Sequence, residues 1–180
     1  MDADRLADQL HGLARDSLAW TDYVAAADQL LGRAIDFDRS CWHTVDPGTV
    51  LLTGSVNREV SCSGSWLAEF EYVVEDVNKW SFLARSGRLA GSTSQATHGT
   101  LTRSARHRSQ RDFGIGDELR GSMVDGDGYW AAVGLLRDDG RAWFADEDVA
   151  LLAGLSAVIA VAARRALVST IAAETMGMLM

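Results

Sequence analysis

Residues Glu118–Leu167, ELRGSMVDGDGYWAAVGLLRDDGRAWFADEDVALLAGLSAVIAVAARRAL, decide the fold. Glu118-Leu119-Arg120-Gly121-Ser122-Met123-Val124 alternates in polarity, and Tyr129–Leu136 is a more fully apolar strand. Asp125-Gly126-Asp127-Gly128 lies between them and supplies residues that tolerate positive φ, so the economical reading is a β-hairpin. A second turn signal, Arg137-Asp138-Asp139-Gly140, is followed by Phe144 and then Asp146-Glu147-Asp148, three acids suited to the positive end of a helix. From Val149 to Ala163 only Ser156 is strongly polar. A helix this apolar is covered on more than one face. The sheet is one cover, and a second subunit is the expected other.

Outward from this stretch, the rest of the chain adds elements of the same kinds. Leu6, Leu10 and Leu13 fall at helical spacing on a first helix. A second helix begins near Thr21, carries Val24, Ala27, Leu31 and Ile35, and ends around Asp36. Ser40–Val45 alternates as a strand, Asp46-Pro47-Gly48 turns, and Thr49–Thr53 returns, giving a second hairpin. Asn57–Ser65 reads as a polar loop, while Trp66–Tyr72 and Val77–Ala84 read as short helices. Gly91–Thr100 reads mostly as loop, with a short strand near Leu89. Leu101–Asp112 reads as a polar, basic helix. The predicted fold is α+β: a central antiparallel sheet of five or six strands, with the N-terminal helices and one long closing helix on the same face. No internal repeat or inter-domain linker is visible.

Bulk properties narrow the function classes. The chain has 180 residues, 47% of them hydrophobic, enough for one sizeable core. A net charge of −8 argues against a nucleic-acid surface, which needs clustered Lys and Arg. The apolar run Val149–Ala163 is shorter than the ~20 residues of a membrane span and is flanked by charges. The N-terminal Met-Asp-Ala-Asp-Arg shows no secretion signal, so the expected location is the cytoplasm, with Cys41 and Cys62 as thiols rather than a disulfide.

These elements carry a resemblance. Cys41–Arg58, Glu75–Arg85, Phe113–Gly140 and Phe144–Leu167 together resemble the GAF-type sensor region of actinobacterial LuxR-type helix-turn-helix transcriptional regulators. The resemblance follows a pattern along the fold, not a catalytic signature, and covers nearly the whole chain. It implies a ligand-sensing or dimerising module whose DNA-binding part lies outside this chain. The implied organisation is N-terminal packing helices over residues 1–38, a sensor domain over 39–168, and a linker over 169–180.

GAF-like folds enclose a cavity between sheet and short helices, and the aromatic residues here bracket that region. The expected ligand is a small, partly apolar molecule held near Trp42, Trp66, Phe70, Tyr72, Trp80 and Trp130, with Asn78 and Arg120 as polar contacts. For any single Trp, plain core filling is the favoured reading. Arg120 counts because an inward charge on an alternating strand needs a counter-ion, although a one-residue register change points it outward.

The remaining motifs are weaker. Asn78-Lys79 with Phe113, Asp117 and Glu118 superficially matches the cyclic-nucleotide signature of some GAF domains, but the placement along the fold is wrong. His43 reads as an ordinary strand histidine, and Cys41, His43 and Cys62 lack a fourth metal ligand, so neither metal nor cofactor is expected. Arg103, Arg106, Arg108 and Arg111 with His107 read as a solvated helical face, with grip on an anionic ligand or acidic partner as the alternative. No nucleophile–base pair or phosphate loop is present, which favours a binding module over an enzyme. The enzyme alternative is a thiol-dependent reductase of the free methionine sulfoxide type, although neither cysteine falls on that family's motif. The other alternative is a ligand-free dimerisation scaffold. The expected homodimer uses Leu151, Leu155, Val158 and Ala162 on one stripe of the closing helix, with cover from the first helix of the same chain as the rival explanation.

Overall fold

The computed structural model describes residues 3–16, 18–60, 63–126 and 128–178. Five strands form one antiparallel sheet in the order β2-β1-β5-β4-β3. They are β1 (Arg39–Val45), β2 (Leu52–Arg58), β3 (Ala90–Ser92), β4 (Ile115–Asp125) and β5 (Gly128–Asp138). The helices are α1 (Ala3–Leu13), α2 (Trp20–Leu31), α3 (Gly64–Ala68), α4 (Trp80–Ser86), α5 (Thr93–Ala96), α6 (Ala105–Gln110), α7 (Asp146–Gly154) and α8 (Ser156–Met178). A π-helical turn, Glu69–Val73, continues α3, and short 3₁₀ turns flank α6.

The β4–β5 hairpin forms as the sequence predicts, with Asp125 paired to Gly128 and Gly126 at φ +56°. Both strands are buried along most of their length, because each face of the sheet is covered. On one face Trp42, Leu119, Met123, Ala131, Val133 and Leu135 pack against α1, α2, α7 and α8. The other face carries Cys41, Ala132 and Leu136 toward Leu67 of α3 and Trp80 of α4. The N-terminal and closing helices thus share one face, as expected.

Three expectations need correction. The second strand of the first hairpin lies at Leu52–Arg58, not Thr49–Thr53, and so runs into the predicted polar loop. As an edge strand with one neighbour and an exposed outer face, β2 tolerates Thr, Gly, Ser and Asn, which disguises it. The closing helix is two helices, α7 and α8, bent by 47°. At the bend Ser156 donates to Ser122 O and accepts from Val124 N–H, so the one polar residue of the run pins α8 to β4. Asp148 accepts from Ala145 N–H at the start of α7, half of a capping box.

The third correction concerns the basic helix. Arg103, Arg108 and Arg111 are exposed, but Arg106 and His107 are buried, so the segment is not a solvated face. Among the described residues no single helix is long and apolar enough to cross a membrane. The stripe Leu151, Leu155, Val158 and Ala162 finds much of its cover within the chain. Leu155 and Ala162 are buried, α1 and α2 pack on α8, and Leu151 and Val158 are half-buried.

Candidate functional site

Strand alternation on β4 turns Leu119 and Met123 toward the helical core and Glu118, Arg120 and Ser122 toward the opposite face. Two charges facing inward there require partners, and the short helices supply them. Arg120 donates through Nε to Glu118 Oε1 at 3.0 Å and through Nη1 to Glu71 Oε2 at 3.1 Å. Glu118 Oε2 accepts from Arg106 Nε at 2.6 Å and from Gln110 Nε2 at 3.1 Å. Asp76 closes the chain by accepting from the Arg106 backbone N–H and from Ser104 Oγ, with Arg106 Nη1 3.7 Å away. The result is a buried relay, Glu71–Arg120–Glu118–Arg106–Asp76, that ties the π-turn, β4, α6 and the loop before α4 together.

Burial alone would raise the Glu118 pKa, but the guanidiniums of Arg106 and Arg120 hold it down at about 2. The Arg120 guanidinium also stacks over Trp80, 3.7 Å from the ring centroid. Trp80 donates its ring N–H to Val133 O, and its ring lies 4.9 Å from the His43 ring. His43 bonds Ser55 Oγ through Nδ1, and burial lowers its pKa to about 4.

Beside this relay lies a cavity of about 290 Å³ between the sheet and α3, α4 and α6. Its apolar wall includes Trp66, Leu67, Trp80, Ile115 and Leu136, with Cys41 behind. Its polar lining is Glu118, Arg120 and Gln110, with Arg39 and Glu59 also lining it. The volume sits at the lower end of small-molecule sites, ~300–1,000 Å³.

Of the residues singled out in the sequence, the structure brings Trp66, Trp80 and Arg120 to this cavity. Phe70 stands behind Trp66, with ring centroids 4.8 Å apart. Trp42 and Trp130 belong to the opposite face, where Trp42 donates to Asp28 and Trp130 lies under Arg164. The Tyr72 hydroxyl accepts from Leu52 N–H and so fastens the π-turn to β2. Asn78 sits at φ +51° and donates to Ser92 O, filling the space beside Gly91 that a Cβ would occupy. Asp117 accepts from Ser94, Phe144 and Glu118 backbone N–H groups. These bonds give Asn78 and Asp117 structural work inside the chain, which accounts for the misplaced nucleotide signature.

Sequence reasoning missed Gln110, Glu71 and Asp76, and read Arg106 as part of a solvated face. One signal was present: Arg106 and Gln110 lie four residues apart on one face of α6, the spacing of side chains that work together. Cys62 lies outside the described residues. Among the described residues no group of three His, Cys, Asp or Glu is placed to hold a metal ion.

No protein-family model matches the chain, and no curated protein matches it. Solved structures do. A phycoerythrobilin-bound GAF domain from a cyanobacterial phytochrome aligns over 94% of this chain and 98% of its own, with TM-score 0.63 and 10% identity. The third GAF domain of a Synechocystis sp. PCC6803 protein, in its photoproduct state, aligns over 86% and 98%, with TM-score 0.52 and 11% identity. At such low identities the likeness establishes the fold, and the fold is that of GAF domains.

Proposed function

We propose that this GAF-fold chain is a sensory and regulatory domain that binds a small molecule in the cavity between β4 and the short helices. The observation that carries the reading is the cavity itself, an apolar pocket whose polar wall is already fixed by the buried relay. A preorganised polar wall in an apolar pocket suits recognition, because binding then orders few protein groups. The finer reading is the sensor region of a LuxR-type helix-turn-helix regulator, with the DNA-binding part outside this chain. It rests on the sequence resemblance over Cys41–Arg58, Glu75–Arg85, Phe113–Gly140 and Phe144–Leu167. In that setting the domain acts as a homodimer, and α8 transmits occupancy of the cavity to whatever it joins.

A thermal-shift screen of metabolites tests the reading, repeated on Leu67→Trp, which places a bulky indole in the cavity. The expected result is a ligand that raises the melting temperature of the wild type and not of the filled variant. Equal shifts in both proteins would overturn it. Cys41 lines the same cavity, which keeps the thiol-reductase alternative in view. Turnover of a sulfoxide substrate that vanishes in Cys41→Ser would reverse the choice between binding module and enzyme.

A further inference from the structure

The residues that line the cavity divide by exposure into a floor and a mouth. The floor is closed: Glu118, Arg120, Trp80 and Leu136 are each 2% exposed or less. Two polar atoms of the relay, Gln110 Oε1 and Arg106 Nη2, have no hydrogen-bond partner, but both are buried beyond the reach of anything that enters the cavity. The inner end of a ligand therefore meets mainly apolar surface, along Leu67, Ile115 and the Trp66 ring. Phe70 backs Trp66, so this wall is aromatic and suits another ring packed against it. The mouth is made by the half-buried Arg39 and the exposed Glu59, Ser63 and Phe113.

Strand register explains how two opposite charges come to stand at that mouth. β1 and β2 pair with Ser40 opposite Arg58 and Cys41 opposite Asn57. One step further out Arg39 comes opposite Glu59, and alternation puts Arg39 on the same face as Cys41, the cavity face. Side chains so placed have Cβ atoms roughly 5 Å apart, and opposite charges there ordinarily attract one another. These two form no ion pair. Glu59 leaves the strand at φ +55°, and Arg39 turns to other partners, with Nε 2.8 Å from Asp138 Oδ1 and Nη1 donating to Phe113 O. Arg39 Nη2 takes part in neither contact, and among the described residues the Glu59 carboxylate has no cation. A guanidinium edge and a carboxylate, both bordering one apolar cavity, match a head group that carries both signs.

We infer that the ligand of this cavity is an aromatic α-amino acid, with its ring in the apolar interior, its carboxylate on Arg39 and its ammonium group on Glu59. This rests on the cavity being the binding site, as proposed above. A space of about 290 Å³ takes one such side chain and leaves the head at the mouth, where water still reaches both charges. The head therefore loses little hydration on binding, whereas a charge driven to the closed floor would lose nearly all of it.

Calorimetry with L-phenylalanine, phenethylamine and 3-phenylpropionate tests the inference: one apolar body with both charges, the ammonium alone or the carboxylate alone. In wild type phenylalanine should bind tightest, by about fivefold over each analogue, the fold-change of roughly 1 kcal/mol for a partly exposed ion pair. Glu59→Gln, at an exposed position, should remove the advantage over 3-phenylpropionate and leave 3-phenylpropionate binding as it was. Arg39→Gln should remove the advantage over phenethylamine, which still binds and so reports an intact cavity. Leu67→Trp should weaken all three. An advantage missing in wild type, or surviving either charge variant, overturns the ligand class and leaves the pocket standing. Failure of all three ligands overturns the class, and the metabolite screen then judges the cavity by itself. Binding untouched by Leu67→Trp overturns both the class and the cavity as the site.

Discussion

Glu118 and Arg120 are two residues apart on one strand, and each has partners contributed by other segments. Removing one member of such a relay is more damaging than removing a surface pair, because its partners stay buried and charged. Arg120→Met strips Glu71 and Glu118 of a shared cation. We expect a loss of roughly 3–5 kcal/mol in urea unfolding, against less than about 1 kcal/mol for Lys79→Ala at the loose pair with exposed Glu75. Acid should then dismantle the domain in two stages. His43 has a folded pKa near 4, below its usual value of about 6.5. Between those values the unfolded chain takes up a proton that the folded chain refuses, so stability falls as pH drops through that window. The loss is roughly 3 kcal/mol. Glu118, held near 2 against an ordinary value of about 4.3, adds a second loss only below about pH 4.5. His43→Leu should flatten the upper limb of a stability-versus-pH curve and leave the lower one. An unchanged slope between about pH 6.5 and 4 would contradict the assignment.

At the scale of elements, the decisive contacts join segments distant in sequence. Ser156 holds the α7–α8 bend against β4 with two hydrogen bonds, to Ser122 O at 2.7 Å and from Val124 N–H at 2.9 Å. Ser156→Ala leaves both backbone groups without that partner and should lower stability by about 1–3 kcal/mol, measured by thermal or chemical unfolding. A value near zero would mean that water takes over both bonds. The elements differ in how well the sequence announced them, for physical reasons. The β4–β5 hairpin was legible because its turn needs positive φ and its strands are long. The α7 start was legible because acids collect at a helix N-terminus. β2 was not, since an edge strand with an exposed face has no apolar alternation to show. Arg106 was misread because a guanidinium reads as a surface group unless its carboxylates are known, and Asp76 and Glu118 come from two other segments. The same ignorance of partners placed Trp42 and Trp130 in the imagined pocket. Aromatic content shows how much ring there is to bury, whereas strand register decides on which face each ring lies. Arg120, by contrast, was identified from charge on an alternating strand, a signal that survived because its burial demanded counter-ions.

For the molecule as a whole, β4 is the common wall of two layers. One side carries Glu118 and Arg120 to the cavity. On the other, Gly121 lets α7 approach so closely that an added Cβ would lie 2.8 Å from Leu152. A ligand that shifts β4 would therefore press directly on the α7–α8 pair, and the proposed function makes α8 the route for that movement. Its inner stripe, Ile159, Ala162 and Ala166, is taken up with Leu155 just before it by α1, α2 and the sheet. The outer side is still apolar: Val168 and Ile171 are about 60% exposed, and Ala157 and Ala172 are exposed as well. An apolar stripe at helical spacing on the outside of a long helix suits a two-fold helix pair, in which the same stripe serves both partners. We expect a homodimer in solution through this outer stripe, displaced toward the end of α8 from the stripe that periodicity alone suggested. Sedimentation of the wild type should give twice the chain mass, and Ile171→Glu should shift it to the monomer without changing the melting of the core. Val158→Glu, half-buried at the edge of the intrachain contact, should lower stability as well as association. A wild type that stays monomeric at tens of micromolar would remove both the interface and the signalling route along α8. The cavity would then be read as a binding site whose output travels through another surface.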